Sequence, residues 1–338
     1  MPDSEKPGNL EEQLRRLRIK KAGKGLENLE GLLRKVDPAD RTGLDPRDVE
    51  ATLRLVNSRV PLPKGCYHID FGVTITPGGV LKIEAGTQIY LGPSAYILSA
   101  GSLIAHETEF VPSEPDVGWG NITLTGGEAS GSILEHCTIK GGRGRQFIQG
   151  SEYFEAFPPE DIPACGTRGG ALLIVDAKPT IRHCVIADSE AYSYGGGVAL
   201  YFSDAVLEDN EITGNSAQWG GGMEICESDP ALIRNIIKEN VAVLSGGGIN
   251  ICPQSRPTLE ENKIMYNKAT GLEGGAGLGG GLYLSGETCR PVLVRNTIVG
   301  NIAIMGGGMY VLASNITKVA GNTIEGNKPD NIMRARTP

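Results

Sequence analysis

The sequence predicts an all-β fold, a β solenoid of stacked coils with an α-helical N-terminal cap. Two observations predict the solenoid. The pattern Asn-x-Ile-x-x-Asn occurs five times between Asn210 and Asn327, and its first four copies are each followed by three glycines and then by apolar residues at alternate positions. A repeat of roughly 20–50 residues whose apolar positions alternate with period two is typical of one coil of a β solenoid.

The five copies follow one another at similar intervals. Their first asparagines lie 25, 27, 34 and 26 residues apart, at Asn210, Asn235, Asn262, Asn296 and Asn322. If each interval is one coil, equivalent side chains stack about 4.8 Å apart, the spacing of paired strands. We therefore expect the asparagines to hydrogen-bond to their copies in neighbouring coils and to satisfy buried turn amides.

The repeat resembles that of a known family. Glycine–glycine–apolar runs alternating with Asn-x-Ile-x-x-Asn-x-Ala are similar to the right-handed parallel β-helix repeat family, with its pectate-lyase-like and polymorphic outer-membrane-protein-like groups. The resemblance is strong over residues 168–330 and looser from residue 70. It implies a right-handed parallel β-helix. That fold carries lyases, hydrolases, epimerases and adhesins, so the resemblance implies no single activity.

The chain divides into three predicted segments. Residues 1–58 contain leucines at helical spacing and a helix start at Asp45-Pro46, which predict a helical cap or, alternatively, an interaction segment. Residues 59–330 are the predicted β-helix, and residues 331–338 are a tail. Residues 143–168 interrupt the rhythm and are predicted to form an excursion loop, where solenoids often carry function.

Composition limits the partners and the location. A net charge of −8 and a pI near 5.2 argue against a nucleic-acid partner. The sequence has no apolar run long enough to span a membrane. Its N-terminal residues are polar and lack the apolar segment of a signal peptide, so we expect a cytoplasmic protein unless a leader was removed.

Seven cysteines do not make a complete disulfide framework. Two pairs, Cys137/Cys184 and Cys226/Cys252, nevertheless occupy equivalent coil positions. Neighbouring coils bring such Cα atoms within disulfide range, whereas free thiols would stack as small apolar groups. The sequence leaves both states open.

No cofactor or metal is predicted. The run Gly275-Ala-Gly277-Leu-Gly-Gly280 fits the dinucleotide-binding spacing but does not open a helix after a strand. His136-Cys137 and His183-Cys184 repeat one coil apart. Because adjacent residues of a strand face opposite sides, the members of each pair do not converge on one ion.

The candidate site is the outward row of the strand that follows each glycine run. Aromatic rings there would stack on sugars, and carboxylates would bind hydroxyl groups or catalyse glycosidic hydrolysis. The catalytic candidates are Glu224, Asp188 and Glu190. The substrate-binding candidates are Trp219, Tyr194, Tyr201, Asn250, Tyr283 and Tyr310.

The resemblance supplies no catalytic residue. Pectate-lyase-like enzymes combine calcium-binding acids with a basic residue, and no basic residue is evident in this row. Polygalacturonase-like hydrolases carry Asn-Thr-Asp, Asp-Asp, Gly-His-Gly and Arg-Ile-Lys. Within residues 59–330 none of these strings occurs, and Arg-Ile-Lys is found only at Arg18, in the N-terminal segment.

Three functions are therefore consistent with the sequence. The first is a rigid, non-catalytic β-helix that binds a polysaccharide or protein partner on its lateral face. The second is a carbohydrate-active enzyme, namely a glycoside hydrolase, polysaccharide lyase or epimerase, with an acidic and aromatic groove. The third is a structural assembly subunit docked through its N-terminal helices.

Overall fold

The protein is seen in a computed structural model that describes residues 46–114, 116–146, 167–272, 277–312, 316 and 318–335. These residues form an all-β right-handed parallel β-helix. Each coil contributes one strand to each of three ten-stranded sheets, which we name sheets A, B and C. Every strand of these sheets therefore pairs in parallel with the equivalent strand one coil away, as the repeat predicts.

The strands are short. Sheet A contains β3 Gly72–Ile75, β6 Tyr96–Ser99, β9 Ile122–Thr125, β14 Leu172–Val175, β17 Val198–Tyr201, β21 Met223–Cys226, β25 Ile249–Ile251, β29 Leu282–Ser285, β32 Met309–Leu312 and β35 Ile332–Ala335. Sheet B contains β1 Arg59–Leu62, β4 Val80–Ile83, β7 Ser102–His106, β10 Ile133–Glu135, β15 Thr180–Arg182, β18 Val206–Glu208, β22 Ala231–Ile233, β26 Thr258–Glu260, β30 Val292–Val294 and β33 Lys318–Ala320. Sheet C contains β2 Cys66–Ile69, β5 Gln88–Leu91, β8 Glu109–Pro112, β11 Thr138–Lys140, β16 Val185–Ala187, β19 Glu211–Thr213, β23 Ile236–Lys238, β27 Lys263–Met265, β31 Thr297–Val299 and β34 Thr323–Glu325.

Two smaller sheets complete the strands. Sheet D lies between sheets C and A in three coils, and contains β20 Ser216–Trp219, β24 Val241–Ser245 and β28 Lys268–Ala269. The strands β12 Arg145–Gln146 and β13 Thr167–Arg168 pair antiparallel at the two ends of the predicted excursion. The remainder of that excursion, residues 147–166, lies outside the described residues.

The core is a set of vertical columns of aliphatic side chains. In sheet C the column is isoleucine in six successive coils, at Ile139, Ile186, Ile212, Ile237, Ile264 and Ile298. These side chains are fully buried because every second residue of a strand faces the inside of the coil. Burying a side chain of this size contributes about 1.5–3 kcal/mol, so the repeated isoleucine stabilises each coil on its neighbours.

Two columns of asparagine close the corners on either side of sheet C. In the first, the Asn210 Nδ2 donates to the Asn235 Oδ1 at 2.9 Å, and the same oxygen accepts the Asn210 backbone N–H at 3.0 Å. Each following asparagine repeats this pattern down to Asn322. The second column contains Asn215, Asn240, Asn267, Asn301 and Asn327. Each amide therefore satisfies a turn N–H that the coil itself leaves without an acceptor.

The first two glycines of each run are required for different reasons. The first, as in Gly246, has a φ of +65°, which side chains with a Cβ rarely adopt. The second, Gly247, lacks this conformation. A Cβ on Gly247 would instead lie 2.4 Å from the carbonyl oxygens of Lys268 and Gly280. Neighbouring coils approach so closely at this corner that only glycine fits.

One α-helix, α1 Pro46–Arg54, and one 3₁₀ helix, Gly127–Gly131, occur within the described ranges. Helix α1 contacts β3, and its Leu53 is buried together with Val56, which bridges to Ile75. The other predicted N-terminal helices fall in residues 1–45, outside the described residues. At the other end, β35 lies inside residues 331–338, the segment that the sequence assigns to a tail.

Candidate functional site

The predicted outward row exists in sheet A. Strand register aligns Ala199 with Glu224, Glu224 with Asn250, Asn250 with Tyr283 and Tyr283 with Tyr310. The row is not an open surface along its whole length, because Ala199, Glu224, Asn250 and Tyr310 are buried and only Tyr283 is half-buried. Alternation within a strand therefore predicted correctly which side these residues face, but not how far solvent reaches them.

Glu224 is the central acidic group of the row, and it is only 1% exposed. Its carboxylate accepts two hydrogen bonds from the Asn250 Nδ2, at 2.8 and 3.0 Å, and one from the Cys252 Sγ at 2.9 Å. Burial raises the pKa of Glu224 to about 7, although these hydrogen bonds and the positive charge of Arg168 act in the opposite direction. The carboxyl group is therefore poised between its two protonation states near neutral pH.

Arg168 brings a basic group to this face. Its side chain is buried, and its guanidinium carbon lies 5.0 Å from the ring centres of both Tyr194 and Tyr201. The outward row itself contains no basic residue, because Arg168 lies before the glycines of its own coil rather than in the strand that follows them. A signal was present: Arg168, Tyr194 and Trp219 each directly precede a glycine run and bridge to one another in successive coils.

Four of the five aromatic candidates form two separate stacks. Tyr194 and Trp219 stack with ring centres 4.9 Å apart at the edge where the chain enters sheet A. Tyr283 and Tyr310 stack at 5.7 Å within the row. In both stacks the partner ring covers one face, so only part of each ring is available to a ligand.

Asp188 and Glu190 lie at the corner after sheet C rather than in the row. Asp188 pairs with Lys140 at 2.8 Å, and Glu190 pairs with Arg143 at 2.6 Å. Each acid therefore has its own basic partner, whereas Glu224 is on the outer face of sheet A. Two-carboxylate hydrolysis needs both groups to flank one bond. Their role as partners of Glu224 stays a prediction.

A cleft with no counterpart among the sequence predictions runs along the turns between sheets A and B. Its volume is about 530 Å³, and four successive coils form its walls. The lining side chains are Phe202, Asp204, Glu227, Asp229, Gln254, Arg256, Thr288 and Arg290. All eight are exposed, so this cleft is open to solvent where the row beside it is largely buried.

Charge is segregated along the cleft. Asp204, Glu227 and Asp229 line one half, and Arg256 and Arg290 line the other. Within the acidic half, the Asp229 Oδ1 accepts the Arg256 backbone N–H at 2.7 Å, and Asp204 pairs with Lys178 at 2.5 Å. One position of the turn that lines the cleft can be recognised in the sequence. In four coils it is a charged residue followed by proline, namely Lys178-Pro179, Asp229-Pro230, Arg256-Pro257 and Arg290-Pro291.

The cysteines of both predicted pairs are free thiols. His136 and His183 stack with ring centres 4.7 Å apart. Across the described ranges, no group of three His, Cys, Asp or Glu side chains is arranged to hold a metal ion. Nor does any helix in these ranges have the length and apolar character needed to cross a membrane.

The coils, the three parallel sheets and the lateral face define a right-handed parallel β-helix protein. Residues 165–278 match the family model described as "Right handed beta helix region". No curated protein matches the sequence. A mutant of the periplasmic alginate epimerase AlgG is similar in structure, with 14% identity, a TM-score of 0.54, and coverage of 88% of this chain and 78% of that chain.

Two further solved structures are also similar. A second AlgG mutant has 14% identity and a TM-score of 0.48, covering 88% of this chain and 77% of that chain. A mannuronic acid specific polysaccharide family 6 lyase from human gut microbiota has 13% identity and a TM-score of 0.29, covering 87% of this chain and 91% of that chain. At these identities the likeness to AlgG concerns the fold alone, and the last two superpositions add no argument.

Proposed function

We propose that this protein is a rigid, non-catalytic β-helix that binds a polysaccharide on its lateral face, in the cleft between sheets A and B. The observation that carries the proposal is the cleft itself, an open volume of about 530 Å³ lined by four successive coils. A repeating ligand suits a repeating wall, because equivalent side chains recur about every 4.8 Å along the solenoid. The fold shared with an alginate epimerase supports a polysaccharide as the ligand.

The lining residues offer the contacts that a charged polysaccharide needs. Carboxylates of the acidic half would accept hydrogen bonds from sugar hydroxyl groups, and the guanidinium groups of Arg256 and Arg290 would bind anionic substituents. Phe202 is 39% exposed and places an aromatic ring at the acidic end. The backbone φ of Phe202 is +52°, and the equivalent residues Asp176 and Glu227 have φ values of +50° and +47°. The turn, rather than the aromatic ring, therefore sets this conformation.

Binding to a library of neutral and anionic oligosaccharides tests the proposal. We expect the double variant Arg256→Ala/Arg290→Ala to lose affinity for an anionic ligand by at least about tenfold, because a hydrogen bond to a charged group contributes about 1.5–3 kcal/mol. The matched control is Lys263→Ala/Lys268→Ala, which removes two exposed positive charges elsewhere on the surface. Equal losses in both variants, or no oligosaccharide bound at all, would overturn the proposal.

A carbohydrate-active enzyme is the second candidate, and one observation favours it. Glu224 is a buried carboxyl group with a pKa raised to about 7, close to Arg168 and Tyr201. Perturbed acids of this kind concentrate at catalytic sites. If the purified protein cleaves or epimerises any library polysaccharide, the enzyme proposal replaces the binding proposal. Full turnover by Glu224→Gln would then show that the chemistry lies elsewhere.

The division into a cap (1–58), a β-helix (59–330) and a tail (331–338) is also a proposal, and β35 continues sheet A into the last of these segments. Helix α1 supports the cap, since Leu53 is buried at the first coils, where the inside of the β-helix needs a cover. Docking of this segment to a larger body would make the protein an assembly subunit. Pull-down with and without residues 1–58 distinguishes a cap from a docking segment. Only a docking segment predicts that a partner bound by the full chain is lost when these residues are removed.

A further inference from the structure

Two thiols and one carboxyl group meet on the outer face of sheet A. Cys226 ends β21, and Cys252 follows β25 in the next coil, where its backbone N–H donates to the Ile225 carbonyl at 2.9 Å. The two cysteines therefore occupy the same position of neighbouring coils. Such positions lie about 4.8 Å apart, within the Cα separations that a disulfide spans.

Cys252 is held between the other groups. Its Sγ donates to the Glu224 Oε1 at 2.9 Å and accepts from the Asn250 Nδ2 at 3.6 Å. The hydrogen bond with Cys226, followed by burial and the Glu224 charge, raises the pKa of Cys252 well above its usual range. A preformed thiolate is therefore scarce, and reaction at this sulfur depends on a neighbouring group that takes the proton during attack.

In a second thiol pair of the same chain, both sulfurs face backbone carbonyls rather than a carboxyl group. Cys137 and Cys184 also lie in neighbouring coils, but each is only 1% exposed. The Cys137 Sγ faces the Ala105 carbonyl and the Cys184 Sγ faces the Leu134 carbonyl, both at 3.4 Å. By contrast, Cys226 and Cys252 are half-buried on the outer face. The buried pair Cys137/Cys184 is therefore a control, within the same molecule, for the effect of burial on thiol reactivity.

We propose that Glu224, Cys226 and Cys252 form a dithiol site that reacts with hydroperoxides. The Cys252 sulfur attacks one peroxide oxygen while Glu224 accepts its proton. The O–O bond breaks, and the leaving oxygen takes up that proton as an alcohol, or as water from hydrogen peroxide. Cys252 is then a sulfenic acid. The Cys226 sulfur attacks it, water leaves with the Cys226 proton, and a disulfide closes. Two thiols are oxidised and one hydroperoxide is reduced.

Hydrogen peroxide and the full chain provide the test, in a background carrying Cys66→Ser and Cys165→Ser. After a brief treatment, free thiols are alkylated, and the protein is digested with trypsin without reduction. Arg234 and Lys238 lie between the two cysteines, so the disulfide joins two separate peptides. We expect this linkage, with Cys137 and Cys184 recovered as thiols. In Cys226→Ser, a sulfenic-acid reagent should label Cys252.

Glu224→Gln tests the proposed base. We expect oxidation to slow by at least tenfold, since a positioned acid or base typically contributes about 10²–10⁴-fold. Leu173→Met changes the apolar cluster against which Cys226 packs and leaves the carboxyl group in place, so it should oxidise as the parent does. The proposal fails if no Cys226–Cys252 linkage forms, if Cys137–Cys184 forms first, or if Glu224→Gln reacts at the parent rate.

Discussion

Replacing Asn262 with alanine tests whether the asparagine columns stabilise the coils. The Asn262 Oδ1 accepts the backbone N–H of Asn235 at 2.9 Å and its Nδ2 at 3.0 Å. The Asn262 Nδ2 donates to the Leu232 carbonyl at 2.8 Å and to the Asn296 Oδ1 at 3.0 Å. All of these groups are buried, so water cannot replace the missing amide without opening the coil.

The expected loss follows from the group left without a partner. In Asn262→Ala the Asn235 backbone N–H has no acceptor, and leaving a buried donor unsatisfied costs about 1–3 kcal/mol. Asn322→Ala is the matched control, because Asn322 accepts the same kind of N–H, from Asn296 at 2.8 Å, but is half-buried in the last described coil. Water can solvate that corner, so we expect a loss of at most about 1 kcal/mol.

Urea unfolding followed by circular dichroism measures both variants. The shift in midpoint multiplied by a common slope gives the difference in unfolding free energy, provided that the slope is unchanged. An Asn262→Ala midpoint equal to that of the parent would refute the reasoning, since the side-chain amide would then not be a required acceptor. Equal losses in the two variants would refute the role of burial.

Two further predictions concern single positions. Gly247→Ala should lower the unfolding free energy by about 1–3 kcal/mol, the usual cost of overpacking, because its Cβ would lie 2.4 Å from two carbonyl oxygens. Gly127→Ala is the control, since a Cβ at Gly127 would meet nothing within 4 Å. Equal urea midpoints for Gly247→Ala and Gly127→Ala would contradict this. Glu224 has a folded-state pKa of about 7, above its ordinary value of 4.5. Between these two pH values the folded protein keeps a proton that the unfolded chain has lost. The stabilisation is therefore fully present below pH 4.5 and is lost as the pH rises to 7. This change corresponds to about 3 kcal/mol, and Glu224→Gln should lack it; parallel stability–pH curves for the two proteins would show that the carboxyl group does not titrate in this way.

The outer face of sheet A shows why the site could be predicted only in part. The sequence correctly placed Glu224, Asn250, Tyr283 and Tyr310 in one row, because strand alternation and equal coil lengths fix both face and register. It did not predict that Glu224 is buried. The surroundings of an outward side chain depend on groups from other coils. Arg168, for example, is 56 positions away from Glu224 along the chain.

The cleft between sheets A and B shows the same limit at a turn. Charged residues followed by proline recur at one coil position, but only the stacked coils reveal that Asp229, Arg256 and Arg290 line one open volume with Phe202. In a strand, alternation predicts which face of the sheet each side chain lies on, whereas a turn has no such alternation from which to predict the direction of a side chain.

By itself, therefore, the sequence determined the architecture of the described coils. Aliphatic residues at every second position of a strand specify the buried columns. The asparagine at each corner supplies the acceptor for a turn N–H of the neighbouring coil, and the glycines mark where the backbones of two coils come close together. Only the tertiary structure decided which outward groups are solvated, which thiols face a carboxyl group and where a ligand has room. The reason is physical: a repeat specifies what each coil places against its copies, while the environment of an outward side chain depends on residues distant in the chain.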